Sequence, residues 1–377
     1  MSNLLTFLSL ISIPLFLWLI DVYVSLSSRR KSYEFSGNRH ADFTVLVPIY
    51  GHVRYLENAE YLSQYGGNVL LCTTGGETAE FNRGLKKIAK KYGFNIFFAS
   101  WSSAQNPSSR ATSGTIRDRL IRDALDNVTT EFVVPLDADS VSIEPIAVAV
   151  GELQALDGDI ASVKLVPTNG DQNGLTRLQK FEYRIAMDMR FVVPWLVSGA
   201  CQIAKTSVLK DIMNRHSLFF QGNDVEIGLI AKKRGYKVVH IPFEVHTALP
   251  STFKAWYRQR LAWGGGEFRL FIINFRIILQ HPFFWIYGAF IVILALPLRY
   301  ISVMQFNLSL AVILALYVSL VTALHWKHKN VWLAMMPIYT IVLSLVLVPL
   351  GAVWYFYMAI KDKNMGIIKP NRKSRVA

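Results

Sequence analysis

The stretch "PLDADS" (residues 135–140) sets two carboxylates, Asp137 and Asp139, one residue apart directly after the apolar run "FVV". Two like charges that close repel each other and lose hydration unless a positive group sits between them. The pair therefore points to chemistry on a bound cationic centre. The competing reading is a solvated turn in which one Asp caps the following helix. The elements around the pair decide where it points.

From about residue 41 to 250 short apolar runs alternate with polar, helix-like segments. "FTVLVP", "NVLLC", "NIFFA", "FVVPL" and "IASVKLV" read as strands buried on both faces, and residues 78–92 and 115–127 read as amphipathic helices between them. That alternation predicts a doubly wound α/β domain with a mostly parallel sheet. Ligands in such folds bind beyond the carboxyl ends of the strands, and Asp137 and Asp139 follow one of those ends. Only two cysteines occur, Cys72 and Cys201, each inside an apolar run, which supports neither a disulfide framework nor a zinc site.

Apolar residues make up 52% of the 377, and they are concentrated at the two ends of the chain. Leu4 to Ile20 carries no charge, and the basic cluster Arg29, Arg30 and Lys31 follows it. A cleaved signal peptide has the opposite order. Residues 1–27 are therefore expected to be a retained transmembrane anchor, with the chain that follows in the cytoplasm. Residues 251–282 read as interfacial helices, with Arg269 and Arg276 able to face the same way toward headgroups. The stretch 283–360 contains three apolar segments, near 283–304, 306–325 and 331–360, read as C-terminal transmembrane helices. The last is long for one pass and holds Pro349 and Gly351, so it tilts, kinks or folds back. Three passes would put the basic tail 361–377 outside, against the positive-inside rule, so a re-entrant or double-crossing segment stays open. The formal charge of +14 fits basic residues gathered at a cytoplasmic lipid surface, without nucleic acid as a partner.

Four motifs occur in a recognisable order: "VLVPIYG" after the anchor, "DADS", "FQGNDVEIGLIAKKRGYKV" and "RQRLAWGGG". This order resembles the membrane-bound, processive family 2 glycosyltransferases, the group of hyaluronan, chitin and cellulose synthases. The resemblance covers roughly residues 41–285 and implies a GT-A-like sheet domain joined to transmembrane helices. It also implies an inverting transfer from a nucleotide-activated sugar, UDP-linked by expectation. The donor's diphosphate needs a divalent cation, Mg2+ or Mn2+, which hard oxygen ligands suit. Asp139 is the implied metal ligand, with Asp137 nearer the ribose or base.

Inverting transfer needs one base for the acceptor hydroxyl, and Asp224 of "GND" is the matching residue. Otherwise Asp224 and Glu226 simply open a helix, where acids favour the dipole. "QRLAW" (259–263) matches the family's Gln-x-x-Arg-Trp signature at Gln259 and Trp263, but Ala262 stands where the Arg belongs. Arg260 or Arg258 is then left to supply the diphosphate contact. Trp263 would stack on the acceptor sugar, its broad ring facing the C–H groups. Tyr50 is expected near the nucleotide base or else in the core. Arg117 meets phosphate or is a surface charge. Gly199 in "SGACQIAKTS" lines the acceptor site or begins an ordinary strand. Thr73 and Thr74 occupy the place of the family's base-reading acids, with Glu77 slightly later.

The expected product is a growing polysaccharide, with export through the same chain of a plasma membrane protein. One alternative is a single transfer to a lipid such as a polyprenyl phosphate. The other is a catalytically inactive transporter or scaffold, which would show charged residues within its spans.

Overall fold

The computed structural model describes residues 33–102, 113–275, 308–326 and 330–361, with residues 19 and 22–27 and isolated positions between 293 and 304. Most of the expected anchor and of 283–304, the end of 268–281 with Arg276, and the tail beyond Lys361 lie outside the described residues. The chain forms two compact units. One gathers Tyr33–Thr168, Val193–Ala248 and the chain from Trp354; the other gathers Asn169–Val192 and Leu249–Val353 with the N-terminus. The α/β unit therefore differs from 41–250 in giving up the segment 169–192 and taking in the end of the last helix.

The first half of the chain forms β1 (Phe43–Pro48), β2 (Val69–Thr73), α1 (Ala79–Tyr92), β3 (Asn95–Phe98), α2 (Ser113–Ala124), β4 (Phe132–Pro135), β5 (Val141–Ser142) and α3 (Ile146–Ala155). Then come β6 (Ile160–Pro167), α4 (Gly174–Arg190), β7 (Gln202–Lys205), α5 (Thr206–Met213), α6 (Asn223–Lys233) and β8 (Val238–Thr247). The C-terminal part is helical: α7 (Phe253–Ile273), α8 (Leu308–Leu324) and α9 (Val331–Lys361).

The strands make one sheet in the order β3-β2-β1-β4-β7-β6-β8-β5. The β1–β2, β2–β3, β1–β4 and β6–β8 pairs are parallel. β7 runs antiparallel to both β4 and β6, and β5 antiparallel to β8, so the sheet is mostly parallel, with six strands in one direction and β5 and β7 opposed. β3 departs from the expectation of burial on both faces. It is the edge strand and stays partly open, whereas β1, β2 and β4 lie inside the core. α1 shows the local logic: Thr78 caps Phe81 N, Phe81, Leu85 and Ala89 face inward, and Gly93 closes the helix at φ 74°.

Gly228 lets α6 approach the Trp195–Val197 segment. A Cβ there would lie 1.7 Å from the backbone oxygen of Trp195. Gly228→Ala is expected to cost about 3 kcal/mol, because backbone cannot yield as a side chain does. A fall in the thermal midpoint checks this.

In the helical unit, α4 begins in a capping box made by Asn173 and Thr176. α7 is one continuous helix through "QRLAW" and "GGG", and Gly264, Gly265, Gly266 and Arg269 are buried along it. Arg269 is 0% exposed, enclosed by protein instead of facing headgroups. One turn earlier α7 packs closely on α9: a Cβ on Gly351 would meet Gly265 N and Leu261 O at 2.5 Å. α9 is a single helix of 31 residues, so the double crossing of 331–360 is excluded. Its middle, Val342–Leu347, widens into a π turn immediately before Pro349, whose ring cannot fit against the carbonyl four residues back in an unbroken α ladder. Among the described residues α9 alone is long and apolar enough to cross a membrane. At 1.5 Å per residue it spans about 45 Å.

Candidate active site

Because β1, β2 and β4 are parallel, their carboxyl ends share one edge of the sheet, and the candidate residues follow these ends. Tyr50 lies past β1, partly buried and packed against the core around Leu46 and Cys72. Glu77 returns from beyond β2 to the same edge. Its carboxylate accepts from Thr74 Oγ1 at 2.5 Å and from Gly51 N at 2.9 Å, the latter at a left-handed glycine with φ 81°. An acid is thus delivered to this edge by a turn, although the strand itself ends in threonines.

The "DADS" turn is bolted down on two sides. Asp137 N donates to Ala200 O at 2.9 Å, and Leu136 bridges Cys201, which ties the end of β4 to the segment leading into β7. Opposite it, Glu57 N and Asn58 N both donate to Ala138 O, at 2.9 and 3.1 Å. Asn58 Nδ2 donates to Asp137 O at 3.0 Å and Ser140 O at 2.7 Å. Asn58 is 2% exposed, so these bonds are made out of water, where leaving the carbonyls unmet is costly. Asn58→Ala is expected to lower stability by about 1–3 kcal/mol and to lower turnover by loosening the turn. Thermal denaturation and rate assays of the same variant check both.

Arg117 stands at the centre of the site. Its Nε donates to Asp137 Oδ1 at 2.5 Å, its Nη1 to Asp118 Oδ1 at 2.8 Å, and its Nη2 to the carbonyl of Gly199. Burial opposes its charge, but the Asp137 and Asp118 carboxylates outweigh that and hold the guanidinium more firmly protonated than usual. A phosphate contact by Arg117 would have to share the group with these three acceptors.

Asp139 is open to solvent at the turn although its carboxyl is flanked by protein. That partial burial and, next, the charge of Asp137 raise its pKa above the ordinary carboxylate value, with Glu57 adding to the effect. The donors on offer, Asp139 and the carboxylate oxygen of Asp137 not bonded to Arg117, are hard oxygens that fit Mg2+ or Mn2+. His40, Asp42 and Glu131 form a second cluster able to hold an ion, but they precede β1 and β4 and so lie at the other end of those strands.

Asp224 comes to the same place from α6. A Cβ on Gly199 would lie 3.2 Å from Asp224 Oδ2, so the carboxylate rests directly against this glycine while Arg117 holds the glycine's carbonyl. Glu226, two residues on, has another duty. It is 3% exposed and accepts from Ser217 Oγ at 2.9 Å and Ser217 N at 3.2 Å. The loop before α6 is strained, with Leu218 at φ 52° and Phe220 at φ 64°. Phe220 is fully buried, with ring centroids 5.2 Å from Trp354 and 5.6 Å from Tyr355.

The structure thus brings Arg117, Asp137, Asp139, Gly199 and Asp224 together within the α/β unit. Gln259, Arg260 and Trp263 belong to the helical unit and are grouped with one another. Arg260 is 3% exposed and donates to Gln259 Oε1 at 2.6 Å and Glu182 Oε2 at 2.8 Å. Its guanidinium lies 4.2 Å from the centroid of the Trp263 ring. Asn58 and Glu182 carry no sequence signal. Their partners lie about 80 residues away in the chain, and neither belongs to a motif.

A model of the family described as glycosyl transferase family group 2 matches residues 132–360, more than half of the chain. Curated N-acetylglucosaminyltransferases of Bradyrhizobium diazoefficiens and Rhizobium meliloti are each 23% identical to it, over 171 and 163 residues. Those matches take in 41% and 39% of this chain and 35% and 38% of theirs, so the chain spans little more than a third of the length of these relatives. A mannosyltransferase from Pyrobaculum calidifontis, solved in complex with GDP-Man and Mn2+, is similar at a TM-score of 0.51 and 15% identity, covering 95% of this chain and 98% of that one. That likeness is one of fold. The matched residues include "DADS", "GND" and "QRLAW", and with them the chain belongs to glycosyl transferase family group 2, on a mixed α/β, GT-A-like fold.

Proposed function

We propose that the protein is a membrane-integral, inverting glycosyltransferase that moves a sugar from a nucleotide donor onto a growing saccharide, on the cytoplasmic side of the plasma membrane. The observation that carries this reading is the meeting of Asp224 and the Arg117–Asp137 pair at Gly199, on the edge where a doubly wound sheet binds ligands. Asp139 would hold the divalent ion. Bound there, Mg2+ or Mn2+ would neutralise the diphosphate and stabilise its departure.

The chain's own residues divide the remaining work. Asp137, fixed by Arg117, faces the ribose or base, and Tyr50 flanks the same pocket. Asp224 accepts the proton of the acceptor hydroxyl as that oxygen attacks the anomeric carbon. Gly199 leaves room for the acceptor beside it. Within the helical unit Arg260 bonds Gln259 and lies over the Trp263 ring. A role for α9 in the bilayer is supported by its length and by an 18-residue stretch with a mean hydropathy of 2.3.

The test is incubation of the purified full-length chain with UDP-sugars and GDP-mannose in the presence of Mn2+. Nucleoside diphosphate release and product size are then measured. A water-soluble polymer is expected. A lipid carrying one sugar would keep the transferase and remove polymerisation. Absence of transfer from every donor would favour an inactive scaffold.

A further inference from the structure

The turn between α5 and α6 delivers Asp224, and its backbone is unusual. Leu218 and Phe220 both take left-handed conformations that side chains disfavour, at φ 52° and 64°, and Gly222 follows at φ 84°. Gly222 is the N-cap of α6, so no capping side chain fixes the start of the helix. The aim of Asp224 therefore depends on what holds this turn.

His216 holds it from inside, with its ring fully buried. Leu218 N donates to His216 Nδ1 at 3.1 Å, and His216 Nε2 lies 2.9 Å from Asn223 O. A backbone N–H can only donate, so Nδ1 accepts, the ring proton sits on Nε2, and Nε2 donates to the Asn223 carbonyl. Glu226 Oε2 lies 3.5 Å from the same nitrogen, and this carboxylate accepts from Ser217 N and Oγ, which clamps the residue after the histidine. Phe220 O accepts from Asn223 Nδ2 at 3.2 Å and from Thr115 Oγ1 at 3.1 Å. Of these bonds the one from Nε2 bears most directly on Asp224. The Asn223 carbonyl and the Asp224 amide belong to one planar peptide unit, so fixing that oxygen fixes the plane from which the Asp224 side chain departs.

We infer that His216 is a positioning residue for Asp224: its Nε2 proton, bound to the Asn223 carbonyl, sets the angle at which the carboxylate rests against Gly199. The inference rests on the reading of Asp224 as the base, and adds to that site a residue outside its sequence motifs. Buried out of reach of any substrate, His216 acts only through the peptide unit it holds. Misplacing a reacting group by about 1 Å can cost about a hundredfold in rate. Part of the aim survives in the helix's own hydrogen bonds, so a smaller loss, about tenfold, is expected without the Nε2 bond.

Two variants separate the ring's two nitrogens. The amide nitrogen of His216→Gln can stand where Nε2 stands and donate to Asn223 O, whereas the shorter amide of His216→Asn reaches only the Nδ1 position. Turnover is measured as nucleoside diphosphate release by the full-length protein, with Mn2+ and whichever UDP-sugar or GDP-mannose the wild type turns over fastest. His216→Asn is expected to lower kcat about tenfold with the donor KM within about twofold, and His216→Gln to recover most of the loss. In an Asp224→Asn background, His216→Asn should lower the residual rate by less than about twofold, because no base remains to be aimed. The same loss in both backgrounds, equal losses in His216→Gln and His216→Asn, or a wild-type kcat in folded His216→Asn overturns the inference and leaves Asp224 as the base. Should His216→Asn not fold, His216→Gln decides alone: a folded protein that keeps most of its turnover supports the inference, and anything less overturns it. Wild-type turnover in Asp224→Asn, or no release from any donor by the wild type, removes the base reading and this inference with it.

Discussion

Asp224→Asn is expected to leave a folded protein whose turnover falls by about a thousandfold, within the range that removal of a positioned general base produces. The substitution keeps shape and removes only the ability to take a proton. It costs little in packing, because Asp224 is half-buried at the start of α6 and its oxygen rests against Gly199. Donor binding should survive, since none of the donor-facing roles is assigned to this residue. A rate near that of the wild type, in protein with an unchanged thermal midpoint, would remove Asp224 from the mechanism.

Arg117→Leu is expected to damage both stability and rate. Its side chain is 16% exposed and that of Asp118 is 3% exposed, so removing the cation strands a buried carboxylate. Breaking such a pair costs about 3–5 kcal/mol. The lower end applies here, because Asp137, the other partner, is 35% exposed and water meets part of its charge. The variant also frees the Asp137 carboxylate and the Gly199 carbonyl, so the two halves of the site lose their common anchor. Arg117→Lys keeps the charge but cannot reach three acceptors from one planar group, and should recover stability better than rate. Thermal denaturation and nucleoside diphosphate release, measured on both variants, separate the two losses.

Strands β1, β2, β4 and β6 were legible because they are near-continuous apolar runs, the pattern of strands covered on both faces. β5, β7 and β8 were hidden for reasons of length and exposure. β5 has two residues and β7 four, too few to show a period. β8 alternates buried and open positions through histidines, a proline and a glutamate, and so lacks an apolar run. β3 looked like a core strand because edge position is a property of the sheet order, which the run "NIFFA" does not encode.

The carboxylates were legible at Asp137, Asp139 and Asp224 because short motifs carry them. Their supports were not. Asn58 holds carbonyls 79 and 82 residues away, and Arg260 reaches Glu182 over a separation of 78. Such contacts follow from the packing of whole elements. Arg269 illustrates the same limit: an Arg in an apolar helix reads as a headgroup contact, yet it is fully enclosed by protein.

The proposed arrangement reduces to an ion shared between Asp139 and a nucleotide's diphosphate, with Asp224 outside that contact. Titration of UDP into the wild-type, Asp139→Asn and Asp224→Asn proteins, each with and without Mn2+, tests it most directly. Mn2+ should strengthen UDP binding in the wild type and in Asp224→Asn, and should have no such effect in Asp139→Asn. Undiminished Mn2+-dependent binding in Asp139→Asn, or binding indifferent to Mn2+ in the wild type, would contradict it.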